Sequence, residues 1–139
     1  MRVLIVDDHD AVRRSLSQAL REEPDMEVVG EASNGEEATQ LAEQLNPDVV
    51  LMDIAMPRID GIEATRRITR DKPQIRIIGL SIHDSMAYAS RIIDAGGCAY
   101  MLKDCDMEDL LREIRFGDWP TRRSGGAKGS REQLAIALP

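Results

Sequence analysis

The sequence has few cysteines and no long apolar run, and each shortage excludes a class of protein. Its two cysteines, Cys98 and Cys105, form no Cys-x-x-Cys pair and lie far from both histidines, so a zinc site is unsupported and a reducing compartment is consistent. No apolar run approaches the roughly 18 residues of a membrane helix. The chain begins with only four apolar residues, 3–6, before two acids, which is too short for a signal peptide. We therefore expect a cytoplasmic protein without a membrane segment.

Basic charge is also scarce in most of the chain. Residues 1–116 hold 14 basic and 23 acidic side chains, a net charge of −9 within a total of −7. A body with this charge repels nucleic acid on average and favours basic or metal-ion partners. Because 42% of the 139 residues are hydrophobic, the chain is too apolar to be disordered, and it is too short for two ordinary domains. The sequence predicts one compact domain.

Five short apolar segments alternate with amphipathic segments. The predicted strands are 3–6, 26–32, 49–52, 75–80 and 98–102. Apolar stripes at helical spacing occur within 12–20, 38–45 and 107–114, with weaker ones within 61–70 and 85–95. Near-continuous apolar strands are typical of parallel sheets buried on both faces, whereas the mixed segment 26–32 indicates an edge strand. The alternation predicts an α/β fold with a parallel sheet, which binds ligands beyond the carboxyl ends of its strands.

Polar side chains follow four of the predicted strands. Asp7 and Asp8 follow the first, Asp53 the third, Ser81 the fourth and Lys103 the fifth. We expect all five at one edge of the sheet. Three adjacent carboxylates repel one another, and a divalent oxygen-seeking ion relieves that cost. A lysine and a hydroxyl can hold phosphoryl oxygens, and a carboxylate can attack phosphorus to give an acyl phosphate. The pattern predicts a site for a hard cation and a phosphoryl group.

The segments VLIVDDHDAVR, VVLMDIAMPRIDGIEATRRI and GGCAYMLKD resemble a response-regulator receiver domain over residues 1–116. The phrases ASNGEEA and LSIHD are most similar to the NarL/FixJ-type subfamily. The resemblance implies a flavodoxin-like (βα)5 doubly wound fold with strand order 2-1-3-4-5. It also implies a two-component switch that accepts a phosphoryl group from a sensor histidine kinase and changes conformation. Such a domain is not a multiple-turnover enzyme, although it promotes its own phosphorylation and dephosphorylation.

The resemblance implies a metal-binding and phosphoacceptor role for the acids. Asp53 would accept the phosphoryl group. Asp8, Asp53 and the backbone carbonyl of Ala55 would bind Mg²⁺ directly, or Mn²⁺ in its place. Asp7 would hold a water molecule bound to the metal.

The same resemblance implies three residues that respond to phosphorylation. Lys103 would pair with Asp53 or with its phosphoryl group, and Ser81 would donate a hydrogen bond to a phosphoryl oxygen. Tyr100, three residues before Lys103, would be the aromatic switch residue; the alternative is an ordinary amphipathic residue of an edge strand.

Some neighbouring residues suit simpler roles. His9 is interpreted as a loop residue beside the acids rather than a ligand, and His83 as a surface residue. Arg13 and Arg14 are adjacent on a helix, which is typical of a solvated face, with contact to a kinase as the alternative. Ile82 follows Ser81 where many receivers carry a small residue, so it bears on the lifetime of the phosphoryl group.

Residues 117–139 predict a linker-like tail of unknown role. Receivers of this subfamily usually continue into a helix-turn-helix domain, which the 23 residues after Phe116 are too short to supply. We therefore expect no direct DNA binding by this chain. The subfamily implies homodimerisation through the surface of the fifth or first helix, although most of the apolar stripe of the fifth helix should be buried in the monomer.

Three other functions compete with the receiver. A Mg²⁺-dependent phosphohydrolase of the haloacid dehalogenase kind needs an Asp-x-Asp pair after the first strand, where this chain has the adjacent Asp7 and Asp8. A flavodoxin-like FMN carrier needs hydroxyls and backbone amides in that loop, and the two acids would repel its phosphate. A stand-alone protein-interaction module is the third.

Overall fold

A computed structural model of the chain describes residues 1–56, 60–82 and 86–117, in which strands and helices alternate. The strands are β1 (Arg2–Val6), β2 (Glu27–Ala32), β3 (Val49–Asp53), β4 (Arg76–Ser81) and β5 (Ala99–Leu102). The helices are α1 (Asp10–Arg21), α2 (Gly35–Leu45), α3 (Gly61–Asp71), α4 (Met86–Asp94) and α5 (Met107–Phe116). Every predicted strand is confirmed to within one residue at each end. None of the described helices combines the length and the apolar character needed to cross a membrane.

All strand pairs are parallel, and the sheet order is β2-β1-β3-β4-β5. This confirms the flavodoxin-like doubly wound fold and the edge position of β2. The strand order reverses between β1 and β3, and open sheets of this kind bind ligands in the crevice at that point. The predicted acids follow these two strands.

Alternate residues of each central strand enter opposite core layers, because side chains of a strand point to opposite faces in turn. Val3 and Ile5 of β1 pack with apolar residues of α1 and α5, whereas Leu4 and Val6 pack with those of α2 and α3. A third cluster joins α4 to the same side as α3. The predicted burial of the apolar stripe of α5 is confirmed: Leu110, Leu111 and Ile114 are buried, and Met107 is half-buried.

A buried ion pair fastens α5 at the end of the sheet opposite the acids. Arg76, the first residue of β4, is fully buried and lies 3.0 Å from the Glu113 carboxylate. Its guanidinium also donates hydrogen bonds to the carbonyl oxygens of Glu113 and Ile114. These carbonyls belong to the last turn of α5, where intrahelical donors run out; the Glu113 carbonyl also accepts from the N–H of the C-cap residue Gly117. The contacts fix the position of α5 against the sheet.

Candidate functional site

The predicted acids converge at the carboxyl ends of β1 and β3. Asp7 and Asp53 are each only 2% exposed, and the Asp8 side chain is 26% exposed. Ligand atoms of Asp7, Asp8, His9 and Asp53 all lie within 4.8 Å of one another. The position of His9 beside the acids is confirmed. The sheet therefore places three carboxylates and an imidazole around one small volume.

Lys103 lies between two of the three acids. Its Nζ atom is 2.9 Å from Asp7 Oδ2 and 3.2 Å from Asp53 Oδ2. The predicted pairing with Asp53 is present, but the shorter contact is with Asp7, which the sequence did not indicate. The backbone N–H of Lys103 donates to the carbonyl oxygen of Ser81 at 2.8 Å, which fixes the ends of β4 and β5 side by side.

One lysine does not balance three carboxylates, and the titration of the site reflects this. The pKa of Asp53 is raised to about 7, first by burial and then by the charge of Asp7, with the charge of Lys103 opposing the rise. Burial alone would lower the pKa of Lys103. The hydrogen bond to Asp7 and the charges of both acids outweigh burial and raise it. The lysine therefore stays charged while Asp53 is held near its protonation point at neutral pH.

Two carboxylate oxygens in this cluster are short of hydrogen-bond donors. Asp8 Oδ1 and Asp53 Oδ2 are buried, and no residue in the described part of the chain donates a hydrogen bond to either. Their nearest cationic or ring nitrogens are His9 Nδ1 at 3.3 Å and Lys103 Nζ at 3.2 Å, respectively. Buried anionic oxygens without donors are costly unless a cation takes up their charge. Oxygen donors of this kind fit a hard divalent ion such as Mg²⁺.

Hydrogen bonds hold the described residues on either side of positions 57–59, between Asp53 and α3. The Ala55 N–H donates to Asp53 Oδ1 at 3.2 Å, and the Gly61 N–H donates to the Ile54 carbonyl oxygen at 3.0 Å. A β carbon on residue 61 would overlap the Asp53 carbonyl oxygen, so this close approach of α3 to β3 requires glycine. Asp60 caps α3 by accepting a hydrogen bond from the Glu63 N–H at 2.9 Å. Ala55 is exposed, and the use of its carbonyl as a ligand stays a prediction.

Ser81 and Tyr100 occupy the neighbouring strands. Ser81 ends β4, is 1% exposed and pairs in register with Leu102. Tyr100 belongs to the edge strand β5 but is fully buried, in a cluster with Ile54 and Ile92. An amphipathic edge residue would leave its ring in solvent, so the burial argues against that alternative. The switch role of Tyr100 stays a prediction.

Arg13 departs from the prediction of a solvated face. Its guanidinium donates to the Asp7 carbonyl oxygen at 2.8 Å, to Glu31 at 3.1 Å and to Asp10 at 2.7 Å, and the side chain is only 13% exposed. The neighbouring Arg14 is exposed, as predicted. Adjacent residues of a helix point about 100° apart, so only one of the two can reach the loop that carries the acids.

Ile82 is 75% exposed directly after Ser81, whereas His83 and the tail beyond residue 117 lie outside the described residues.

An apolar groove of about 360 Å³, which the sequence did not indicate, runs between α1 and α5 beside the acids. Its lining comprises Asp7, Ala11, Val12, Ser15, Leu16, Ala19, Leu80, Leu102, Lys103, Cys105, Met107 and Leu110.

Comparison with known proteins gives consistent matches. The response regulator receiver domain model matches residues 3–115. The transcriptional regulatory protein LiaR of Bacillus subtilis is 44% identical over 117 residues, which cover 83% of this chain and 54% of LiaR. DegU of Brevibacillus brevis is 38% identical over 115 residues, covering 83% of this chain and 49% of DegU. The chain thus spans about half the length of the curated relatives it matches.

The solved receiver domain of NarL from Mycobacterium tuberculosis superposes with a TM-score of 0.78 at 30% identity, over 82% of this chain and 92% of that domain. The sheet order and the acids at its carboxyl edge agree with this likeness. The chain belongs to the receiver domains of two-component response regulators.

Proposed function

We propose that this chain accepts a phosphoryl group on Asp53, taken from the phosphohistidine of a sensor histidine kinase, and that the product is the signalling state. The observation that carries the proposal is the buried Asp53 carboxylate, whose Oδ2 atom lies 3.2 Å from Lys103 and accepts no hydrogen bond within the described ranges. In the transfer, a carboxylate oxygen of Asp53 forms a bond to phosphorus as the bond from phosphorus to the histidine nitrogen breaks. The histidine leaves with that electron pair.

Asp8, Asp53 and the backbone carbonyl of Ala55 would hold Mg²⁺ or Mn²⁺, and Asp7 would hold a water bound to the ion. The ion supplies neutralisation of negative charge when it is bound. Deprotonated Asp53 is the form that can act as nucleophile. The pKa of about 7 leaves a large part of this carboxyl protonated at neutral pH in the free chain, so added positive charge favours the reactive form.

Lys103 and Ser81 would hold the phosphoryl oxygens after transfer. Phosphorylation changes Asp53 from a charge of −1 to about −2 and adds acceptor oxygens. Lys103, now shared between Asp7 and Asp53, has a stronger partner on the phosphorylated side chain. Movement of Ser81 towards that anion would displace the loop after β4. Tyr100 in the neighbouring strand would then mark the switch by a change in its packing.

Acetyl phosphate tests the acceptor without a kinase. We expect intact-mass spectrometry to show one added phosphoryl group that is labile in base, and to show none in Asp53→Asn. The matched control is Glu43→Gln, which removes an exposed carboxylate of α2. Equal labelling of Asp53→Asn and the unchanged chain would show that another residue is the acceptor.

A phosphohydrolase would give a different result in the same preparation. It would release phosphate from phosphate esters at a steady rate over many turnovers, whereas the proposed receiver forms one covalent adduct per chain. An interaction module without phosphoryl chemistry would gain no mass. Receiver-family members are in general signal transducers rather than enzymes, in agreement with the single-adduct outcome.

The wider setting follows from the same proposal. Residues 1–116 form the receiver and 117–139 a tail of unknown role. The partner is a sensor histidine kinase. The cytoplasm suits a chain whose two cysteines, Cys98 and Cys105, form no Cys-x-x-Cys pair. We expect no sequence-specific DNA binding by this chain alone, because its body carries a charge of −9. A mobility shift at physiological salt that depends on DNA sequence would contradict this.

A further inference from the structure

The proposed function leaves one member of the acid cluster without a role, His9. It is the residue before α1, its side chain is 70% exposed, and it makes no capping hydrogen bond to the helix. Its backbone N–H donates to Asp7 Oδ1 at 2.8 Å, which holds the main chain of this turn against the acids. The imidazole therefore stands at the mouth of the cluster on a fixed backbone.

The ring nitrogen lies close to two carboxylates, one of which is the proposed direct ligand Asp8. His9 Nδ1 is 3.3 Å from Asp8 Oδ1 and 3.6 Å from Asp7 Oδ1. In an octahedral ion with bonds of about 2.1 Å, neighbouring ligands lie about 3.0 Å apart and opposite ligands about 4.2 Å apart. The distance from His9 Nδ1 to the proposed direct ligand Asp8 falls between these values. The nitrogen can share one ion with the carboxylates after small adjustments of an exposed ring.

The buried acids supply an independent reason for a cation at this point. Asp53 is 2% exposed, and its Oδ2 atom receives no hydrogen bond from the residues that the structure describes. Asp8 Oδ1, the carboxylate oxygen nearest to the imidazole, is in the same condition. Each of these oxygens gains from a positive charge at the centre of the cluster.

We propose that His9 Nδ1 is a direct ligand of a first-row transition-metal ion in this site and shifts the preference of the site away from Mg²⁺. The inference rests on the proposed metal site and adds a nitrogen to its oxygen donors. Imidazole suits ions such as Ni²⁺ and Zn²⁺, whereas carboxylate, carbonyl and water oxygens suit Mg²⁺. His9 therefore stabilises a bound Ni²⁺ ion much more than a bound Mg²⁺ ion. Transition ions compete for the receiver more strongly than an all-oxygen site would allow.

Calorimetry measures the affinity of the site for each ion. Mg²⁺ is titrated alone, and Ni²⁺ is titrated in competition with Mg²⁺. The samples are the full chain, His9→Ala, Asp8→Asn and the matched control Gln18→Ala, an exposed residue of α1. We expect His9→Ala to lower the Ni²⁺ affinity about tenfold or more, as the loss of a metal-site residue does, and to leave the Mg²⁺ affinity within about twofold. Gln18→Ala should change neither affinity, and Asp8→Asn should weaken both.

Pulsed EPR of the chain loaded with Mn²⁺ gives a direct readout of the nitrogen. We expect ¹⁴N modulation in the unchanged chain and in Gln18→Ala, and its loss in His9→Ala. The ligand assignment would be overturned if His9→Ala had the same preference for Ni²⁺ over Mg²⁺ as the unchanged chain. It would also be overturned if His9→Ala lowered the affinities for both ions equally. In either case the loss of both affinities in Asp8→Asn would still support the metal site. Unchanged affinities in Asp8→Asn would remove the metal site, and with it the role of His9.

Discussion

Asp53 is an ionisable group placed where its charged form is disfavoured. The folded-state pKa of about 7 lies above the ordinary value of 3.8, because burial and the charge of Asp7 outweigh Lys103. A raised pKa contributes stability that is fully present below the pKa of the unfolded chain, and this contribution is lost as the pH rises through the folded-state pKa of about 7. The free energy of unfolding should therefore fall between about pH 4 and pH 7 through this group.

Asp53→Asn removes this titration. We expect it to raise the free energy of unfolding at pH 8 by on the order of 2 kcal/mol, and with it the melting temperature by several degrees. The effect at pH 4.5 should be much smaller. Thermal unfolding followed by circular dichroism at the two pH values measures the difference. Glu43→Gln, an exposed charge removal, should give the same small shift at both. A gain from Asp53→Asn that does not depend on pH would contradict the electrostatic cause.

Arg13 and Arg14 form a natural pair of variants. Arg13→Met keeps much of the apolar stem but removes the donors to the Asp7 carbonyl, Glu31 and Asp10. We expect the unfolding free energy to fall by about 1–2 kcal/mol, whereas Arg14→Met should stay within about 0.5 kcal/mol of the unchanged chain. Urea denaturation measures both. Equal effects of the two variants would show that the contacts of Arg13 carry no net stability.

For single residues, the sequence predicts which residues form the site better than it predicts their side-chain contacts. The types of Asp7, Asp53 and Lys103, and their positions after strands, were enough to bring them together, because parallel strands end at one edge. The shorter contact of Lys103 with Asp7 was not predictable, since it depends on a side-chain rotamer between two strands. The contacts of Arg13 were missed for the same reason. An i, i+3 pair with Asp10 was the available signal, but such pairs also occur on solvated helix faces.

At the scale of elements, α5 is held at its carboxyl end by two sets of ion pairs. Arg76 reaches from β4 to Glu113, and Arg115 reaches to Glu23 at 2.8 Å and Asp25 at 2.7 Å in the loop between α1 and β2. The first pair is buried and the second is more open. The amphipathic stripe of α5 was legible in the sequence. The ion pair that holds α5 to β4 was not predicted, because Arg76 lies where an apolar strand residue is expected.

Arg76→Met removes the buried guanidinium that donates to the Glu113 carboxylate and to the Glu113 and Ile114 carbonyls. Removal of one partner of a buried pair costs about 3–5 kcal/mol, so we expect a large fall in the midpoint of urea unfolding. Arg112→Met, on an exposed part of the same helix, should have little effect. In the double variant with Glu113→Gln the loss should be smaller than the sum of the two single losses. Additive losses would mean that the two side chains are not coupled.

At the scale of the whole molecule, the site and the groove share residues. Asp7 and Lys103 belong to the acid cluster and also line the groove between α1 and α5, and Leu80 precedes Ser81 in the same lining. A change in the ion-pair partner of Lys103 would therefore also change the lining of the groove. Val12 in that lining is 41% exposed. The groove was beyond the reach of sequence patterns, because it arises from the spacing between two helices that are distant in the chain.

We expect phosphorylation to promote weak self-association through this face. Beryllofluoride with Mg²⁺ stands in for the phosphoryl group, and sedimentation velocity measures the oligomeric state. Lys103 drawn towards the modified Asp53 leaves the rim of the groove, so its apolar lining becomes easier to cover with a second copy. The unchanged chain should sediment faster with beryllofluoride than without it, and more so as concentration rises.

Val12→Glu places a charge in the lining and should abolish that concentration dependence, because burial of an unpaired carboxylate between two copies opposes association. Gln18→Glu adds the same charge on an exposed part of α1 outside the groove and should leave it intact. Binding of beryllofluoride, followed by NMR, must be equal in both variants for the comparison to hold, since neither residue belongs to the acid cluster. Monomers in every sample would exclude self-association as the output. Loss of association in both variants would instead trace the effect to the negative charge of the body as a whole.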